Sequence, residues 1–170
     1  MHGLEFINMD VHALERLLND PAGFERWHQL GIGSHGEEVR RLAEDMRSTL
    51  QATHVDPKWS SYLAVDKQTR QVVGSCCFKG APSADGVVEI AYFTFPALEG
   101  RGYASSMAAR LVDLAFADKA VRRVIAHTPP EHSDAVQMLE KNGFHLVGEV
   151  TDSQGAKVWA WAVAKRSYGS

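Results

Sequence analysis

The chain has 170 residues, of which 45% are hydrophobic and 23% charged, and its formal net charge at pH 7 is -3. This length and composition predict one globular domain and exclude a largely disordered chain. The acidic excess supplies no general positive field for phosphates, so we expect no nucleic-acid partner, and without an apolar run of about 20 residues we expect no membrane-spanning helix.

The first third of the chain predicts helices. Asp10 is a suitable N-cap for a helix over residues 10–18, in which leucines recur on one side. Ser34 and Glu37 have the spacing of a capping box, and apolar residues then recur at helical period over 36–51. These patterns predict two amphipathic helices, of which the second is the longer.

Strand patterns follow in the middle of the chain. The β-rich runs 62–65 and 72–78 are separated by the polar residues 66–71, which predicts a hairpin. After a loop rich in glycine and proline, the apolar run 87–95 predicts a long strand that Pro96 stops. The middle third therefore predicts three consecutive strands.

The last third alternates helices with strands. Helical periodicity returns after Gly102 and leads to a strand over 121–127, which we expect to run parallel to the strand over 87–95. The remaining predicted elements are a helix over 133–142, closed by Gly143, and strands over 144–150 and 157–163. The sequence thus predicts an α/β domain with a mixed central sheet of six to seven strands and helices on both faces.

A glycine-containing turn joins the 87–95 strand to the helix that follows it. Gly100 and Gly102 allow the backbone to approach a ligand closely, and the amides of the first helical turn favour an anion. The turn lacks the lysine and hydroxyl that end a Walker loop, and Ser105 stands where a dinucleotide-binding fingerprint has its third glycine. The residues alone indicate a phosphate site that fits neither motif.

Several linked segments resemble the GNAT acetyltransferases. The run EGRGYA, residues 99–104, is similar to the pyrophosphate loop of that family, and MLEKNGF, residues 138–144, is similar to a later helix-to-strand signature. The segments WSSYLAVD, VVGSCCFKGAP, DGVVEIAYFTFP, VIAHTPPE and VWAW occur in matching order. Over about residues 59–161 the chain resembles the ribosomal-protein-type N-acetyltransferase branch.

The resemblance implies acetyl-CoA as co-substrate. The eight histidines show no zinc-site spacing with the two cysteines, so we expect no metal. It divides the single domain, residues 1–170, into a helical acceptor-side region over 1–55 and an acetyl-CoA-binding core over 59–163. In the family, pantetheine lies along the strand equivalent to 91–95 and the pyrophosphate lies on the turn equivalent to 100–104. The implied cofactor contacts are Phe93, Thr94, Phe95, Gly100, Arg101, Gly102, Tyr103, Ala104 and His132.

Three side chains are candidates for the transfer chemistry. Glu89 lies in the middle of an apolar strand, where a carboxylate must either line a wet cleft or pair with a cation. We therefore weigh Glu89 as a water-assisted base that deprotonates the acceptor amine against a purely structural pairing. His127, which ends a neighbouring strand, is either structural or a participant in catalysis. Ser133 and Tyr92 are the alternatives for protonating the thiolate, and a backbone amide near 93–95 is expected to polarise the carbonyl.

The predicted function is acetyl transfer to the primary amine of a protein N-terminus or a small molecule. The alternative is a CoA-binding sensor or interaction module without turnover, because Leu139 stands where many relatives have a tyrosine, and Glu99 and His132 depart from the family pattern. We expect no membrane partner and either a monomer or a homodimer. The adjacent Cys76 and Cys77 cannot easily bridge each other, so a reducing, cytoplasmic location fits best.

Overall fold

Seven strands form one mixed sheet in the order β1-β2-β3-β4-β5-β7-β6 in a computed structural model that describes residues 3–168. The strands are β1 Leu4–Asn8, β2 Ser61–Asp66, β3 Val72–Phe78, β4 Val87–Thr94, β5 Arg123–Thr128, β6 His145–Thr151 and β7 Lys157–Ala164. The helices are α1 Val11–Asn19, α2 Pro21–His28, α3 Gly36–Thr53, α4 Tyr103–Phe116 and α5 Asp134–Lys141. The α/β class and the mixed sheet are confirmed.

Two apolar cores cover opposite faces of the sheet. Side chains alternate along a strand, so on β2 Tyr62 and Ala64 belong to one core while Leu63 and Val65 belong to the other. The first core is closed by α4 and α5, for example through Met107. The second is closed by α1, α2 and α3, and the sheet is thereby covered by helices on both sides.

The structure corrects the N-terminal predictions in part. Asp10 caps α1 by accepting from a backbone amide of its first turn at 2.9 Å, as predicted. The capping box was wrong, because Ser34 lies in a short 3-10 turn and the residue at the N-cap of α3 is His35, whose side chain forms no capping bond. β1 and α2 were not predicted, so the first 55 residues contain a strand as well as helices.

The later elements follow the predictions closely. β2 and β3 form the expected antiparallel hairpin, and β4 and β5 run parallel. The strand over 87–95 ends one residue earlier than predicted, because Phe95 begins a 3-10 turn, and the strand that contains His127 extends to Thr128. Within residues 3–168 no helix combines the length and the apolar character that crossing a bilayer requires.

All four tyrosines of the chain resist ionisation. Burial raises the pKa of Tyr62 and Tyr103, and it raises the pKa of Tyr92 and Tyr168 to about 12. Unfolded tyrosines lose their protons near pH 10, so between about pH 10 and 12 the unfolded chain binds fewer protons than the folded chain. The free energy of unfolding is therefore expected to fall as the pH rises through this window.

Phenolate absorbance and far-ultraviolet circular dichroism, recorded during one alkaline titration, test this expectation. The two signals should change in a single coincident step above about pH 10. Complete phenolate formation near pH 10 with the secondary structure retained would contradict it.

Candidate active site

The sheet opens between β4 and β5. Their parallel ladder joins residues 87–89 to residues 123–125, and in the described strands it ends at the pair Glu89 and Ile125. On its other side β4 remains paired with β3 as far as Thr94. The result is a gap between β4 and β5 that begins beside Glu89.

Backbone groups of β4 face this gap. The Glu89 carbonyl accepts from the Lys79 amide, and the Phe95 amide donates to a carbonyl of β3, so the odd-numbered residues direct their peptide groups toward β3. Peptide groups alternate in direction along a strand, which turns those of Tyr92 and Thr94 toward the gap. An amide-bearing ligand in the gap can form sheet-like hydrogen bonds with them.

The N-terminus of α4 lies at the end of the gap. Gly100 and Gly102 both have positive φ, +80° and +88°, a conformation that is strained for residues with a Cβ atom. Gly102 is the N-cap of α4, and no side chain of the described residues caps the helix. Since the first turn of a helix has amides without intrahelical acceptors and carries a partial positive charge, this terminus suits a phosphate.

A groove of about 610 Å³ connects the gap to this helix terminus. Its lining includes six of the nine predicted cofactor contacts, namely Phe93, Thr94, Gly100, Gly102, Tyr103 and Ala104, together with the candidate acid Ser133. The Oγ1 atom of Thr94 is buried in this wall and has no hydrogen-bond partner in residues 3–168. Orphaned buried hydroxyls are rare, so Thr94 is suited to a polar ligand atom that the groove would receive.

Two contacts hold the glycine turn and the start of α4 in place. The Tyr103 hydroxyl donates to Oδ2 of the buried Asp66 at 2.7 Å, and the Asn142 side-chain amide donates to Oγ of Ser105 at 3.2 Å. Each pair is separated by 37 residues in the sequence. The sequence analysis missed Asp66 and Asn142, because local patterns carry no information about such distant partners.

The structure brings Glu89 and His127 together. Nδ1 of His127 lies 2.9 Å from Oε2 of Glu89, and Nζ of Lys79 lies 3.2 Å from the same oxygen. No described residue bonds Oε1 of Glu89. The carboxylate is thus held by two groups through one oxygen, and its other oxygen remains available. Lys79 was missed, because it lies in the segment predicted as a loop and approaches Glu89 only through the pairing of β3 with β4.

The other predicted residues lie in different settings. Ser133 caps α5, and its Oγ accepts from a backbone amide of that helix at 3.5 Å. His132 contacts the ring of Trp159, with 5.3 Å between the centroids, and is not part of the groove lining. Phe95 is fully buried, its ring stacks on His35, and its amide is bonded within the sheet. The backbone amide that was expected to polarise the thioester carbonyl is therefore expected at Tyr92 or Thr94.

The positions that depart from the family pattern are also placed. Glu99 is exposed at the rim of the groove, whereas Arg101, which was predicted as a cofactor contact, is exposed between the two glycines and is not part of the groove lining. Leu139 is completely buried in the core, where it contributes packing and no chemistry. In the described part of the chain no group of three or more histidine, cysteine, aspartate or glutamate residues is placed to hold a metal ion.

A second cavity, the α3 pocket, lies on the opposite face of the sheet. It is open to solvent, measures about 230 Å³ and is lined by Leu42, Asp45, Met46 and Thr49 of α3 together with residues of β2, β3 and β4. Tyr92 and Phe93 line both the α3 pocket and the groove. The two cavities therefore meet at the part of β4 that borders the gap.

Comparisons with known proteins give one consistent result. Residues 5–145 match the model of the acetyltransferase (GNAT) domain. The uncharacterized N-acetyltransferase p20 of Bacillus licheniformis is 26% identical over 131 residues, which are 74% of each chain. An acetyltransferase of the GNAT family from Bacillus anthracis superposes with a TM-score of 0.65 at 16% identity, covering 98% of both chains.

RimL, a ribosomal alpha-N-protein acetyltransferase solved in complex with coenzyme A, superposes with a TM-score of 0.64 at 16% identity. This match covers 95% of the present chain and 93% of that one. At such identities the superpositions show the fold, whereas the family match covers most of the sequence.

Proposed function

Because the chain belongs to the GNAT acetyltransferase family, we propose that it moves the acetyl group of acetyl-CoA to a primary amine. The acceptor is the amine of a peptide N-terminus, as the name of RimL states for that protein, or of a small molecule. The observation that carries the proposal is the groove that runs from the β4–β5 gap to the glycine-capped terminus of α4. The free thiols of Cys76 and Cys77 support a cytoplasmic location, and we propose a monomer or homodimer.

The groove residues would bind acetyl-CoA by three means. The turn over 100–104 and the positive end of α4 neutralise the pyrophosphate. The peptide groups of Tyr92 and Thr94 bond the pantetheine amides in place of a partner strand. The thioester, when bound, supplies the activated acetyl group at the gap.

Glu89 is proposed as the base, directly or through one water. The amine nitrogen forms a bond to the acetyl carbon, the carbon–sulfur bond breaks, and the proton of the amine passes to Oε1 of Glu89. His127 and Lys79 hold Oε2 and so fix the direction of the carboxylate. The ion pairing of Glu89, weighed above as an alternative to catalysis, is thereby compatible with catalysis, and we assign His127 the role of passing the proton to solvent.

The leaving thiolate needs a proton or a hydrogen bond. Ser133 lines the groove, and because its Oγ accepts from α5, its hydroxyl hydrogen is left to donate. Burial raises the pKa of Tyr92 to about 12. Neither this phenol nor the less acidic hydroxyl of Ser133 releases its proton to a thiolate whose conjugate acid has a pKa of about 8.5, so each can only donate a hydrogen bond while the thiolate takes its proton from solvent. We propose Ser133 as the group that meets the thiolate.

Replacing Gly102 by Asp is expected to weaken CoA binding more than tenfold, or about 1.4 kcal/mol. The substitution places a side chain and a negative charge where the pyrophosphate would lie, at a φ of +88°. Isothermal titration calorimetry measures the effect. Gly102→Asn separates the effect of the added bulk from the effect of the charge. Gly155→Asp controls for backbone strain, because Gly155 lies in a turn after β6 at a φ of +83° and has open space around it. Unchanged affinity for CoA in a folded Gly102→Asp protein would show that the pyrophosphate does not bind at this turn.

An acetyl-CoA turnover screen against amines and peptides with free N-termini tests the proposed function. Release of free CoA thiol that depends on an amine is the expected result. CoA is also expected to raise the melting temperature, since it binds the native state. A thermal shift without turnover for any amine would support the alternative, a CoA-binding sensor or interaction module.

A further inference from the structure

We infer that Asp66, which is not part of the groove lining, is a positioning residue for the cofactor, an inference that rests on the proposed acetyl-CoA site. Asp66 acts through the hydroxyl of Tyr103, and their hydrogen bond contributes to the affinity for CoA as well as to the fold. The turn over 100–104 has little local support, Asp66 is firmly held, and Tyr103 connects the two.

The glycine turn is weakly ordered by its own residues. Gly100 and Gly102 allow a close approach to a phosphate, but glycine loses more conformational freedom than any other residue when its backbone is fixed. Gly102 is the N-cap of α4, and no side chain of the described residues forms a capping bond there. The amides that would receive the pyrophosphate therefore depend for their order on contacts made from elsewhere in the chain.

Asp66 is a rigid point of attachment. It is the last residue of β2, a strand in the interior of the sheet, and it is only 5% exposed. Its backbone amide donates to the carbonyl of Gln71 at 3.0 Å, and its carbonyl accepts from the amide of Arg70 at 2.8 Å. Its Oδ1 accepts from the amides of Gln68 and Thr69. The hairpin turn thus fixes the direction of the carboxylate.

Tyr103 connects this carboxylate to the helix. It is the first residue of α4, it lines the groove, and its side chain belongs to the first core. Its hydroxyl donates to Oδ2 of Asp66 at 2.7 Å, and a hydrogen bond to an ionised acceptor is stronger than one between neutral groups. The bond therefore fixes the first turn of α4, and with it the unpaired amides of that turn, against the sheet.

The sign of its charge shows that Asp66 does not act by attracting the cofactor. A carboxylate behind a phosphate site repels the phosphate, so the benefit of Asp66 is geometric. A turn that is ordered before binding loses less entropy when the ligand arrives. The benefit should therefore appear in the dissociation constant of CoA and in KM for acetyl-CoA. It should be absent from kcat, because Glu89 lies at the beginning of the gap, away from the terminus of α4.

Tyr103→Phe tests the inference, because it keeps the ring in the core and removes only the donor. We expect the dissociation constant of CoA, measured by isothermal titration calorimetry, and KM for acetyl-CoA to rise about fivefold or more, with kcat unchanged. Tyr62→Phe is the matched control. Tyr62 is also buried in the first core, and its hydroxyl also donates at 2.7 Å, to the carbonyl of Lys58. This control should leave the affinity for CoA unchanged even where it lowers the melting temperature.

A double-mutant cycle shows whether Asp66 acts through Tyr103. Asp66→Ala should weaken CoA binding at least as much as Tyr103→Phe does. The two substitutions together should weaken it no more than Asp66→Ala alone, because each removes the same hydrogen bond. Tighter CoA binding by Asp66→Ala would show that charge repulsion outweighs positioning and would overturn the inference, as would effects that are fully additive.

The remaining outcomes distinguish positioning from a purely structural role and from the proposed function. A lower melting temperature of Tyr103→Phe with unchanged affinity for CoA would make the bond structural only, and an equal loss of affinity in Tyr62→Phe would indicate general loosening. Either result overturns the inference. Calorimetry needs no acceptor, so wild-type protein that binds CoA but releases no thiol with any amine refutes the proposed acetyl transfer, while the dissociation constants still decide the role of Asp66. Wild-type protein that does not bind CoA refutes both.

Discussion

Glu89→Gln is expected to lower the turnover number at pH 7 at least a hundredfold. The amide retains the size of the carboxylate but cannot accept the proton of the acceptor amine, and general-base catalysis typically contributes about 10²–10⁴-fold. The CoA dissociation constant should hardly change, because Glu89 lies at the beginning of the gap, away from the terminus of α4. Amine-dependent thiol release, recorded from neutral to alkaline pH, measures the effect.

The pH profile distinguishes a base from a structural carboxylate. A missing base is partly rescued at high pH, where more of the acceptor amine is already neutral. A structural Glu89, paired with Lys79 and His127, would instead reveal itself in a lower melting temperature without such rescue. Glu149→Gln, which removes an exposed carboxylate near Lys157, serves as control. Wild-type turnover at neutral pH in a stable Glu89→Gln protein would refute the base assignment.

Gly74→Ala is expected to destabilise the protein by about 3 kcal/mol, at the upper end of the usual cost of overpacking. A Cβ atom at this position of β3 would lie 2.0 Å from the carbonyl oxygen of Phe93 on β4. That neighbour is backbone, so relief requires the two strands to separate at the part of β4 that borders the gap. For a chain of this length the melting temperature should fall by about 6–12 °C.

A matched glycine substitution controls for the change in unfolded-state entropy. Gly36, at the start of α3, has no atom within 4 Å of a built Cβ, so Gly36→Ala should leave stability unchanged or slightly increased. Differential scanning fluorimetry of both variants, with and without CoA, makes the comparison. A Gly74→Ala protein that melts like the wild type and binds CoA equally well would show that the strands tolerate the side chain.

Local signals explain which elements the sequence could predict. α1 was found because Asp10 is followed by leucines at helical spacing. β1 was missed because only Leu4 and Ile7 of its five residues are buried, and it depends on pairing with β2, far away in the sequence. α2 begins with a cap and a proline but buries only Phe24, which leaves no apolar period to detect.

The candidate site divides in the same way. The glycine turn was predictable, because positive φ at Gly100 and Gly102 is a requirement that single residues satisfy. The partners of the site were not, because Lys79 reaches Glu89 through strand register, and Asp45 enters the α3 pocket only once α3 packs on the sheet. A resemblance to a family predicts which residues contact the cofactor, whereas it does not predict that Lys79 contacts Glu89 or that Asp45 lines the α3 pocket.

The short ladder between β4 and β5 divides the sheet into two units of local stability. The unit of β1 to β4 has its own core with α1 to α3, while β5, β6 and β7 are bonded to one another along their length. The two units nevertheless share the apolar core beneath α4 and α5, which contains Val88 of β4 and Val124 of β5, so they stay joined on that face of the sheet. Beyond Glu89 no ladder bond between the described strands β4 and β5 has to break, so a long, flexible thioester arm can enter and leave there without disturbing the pairing of the rest of the sheet.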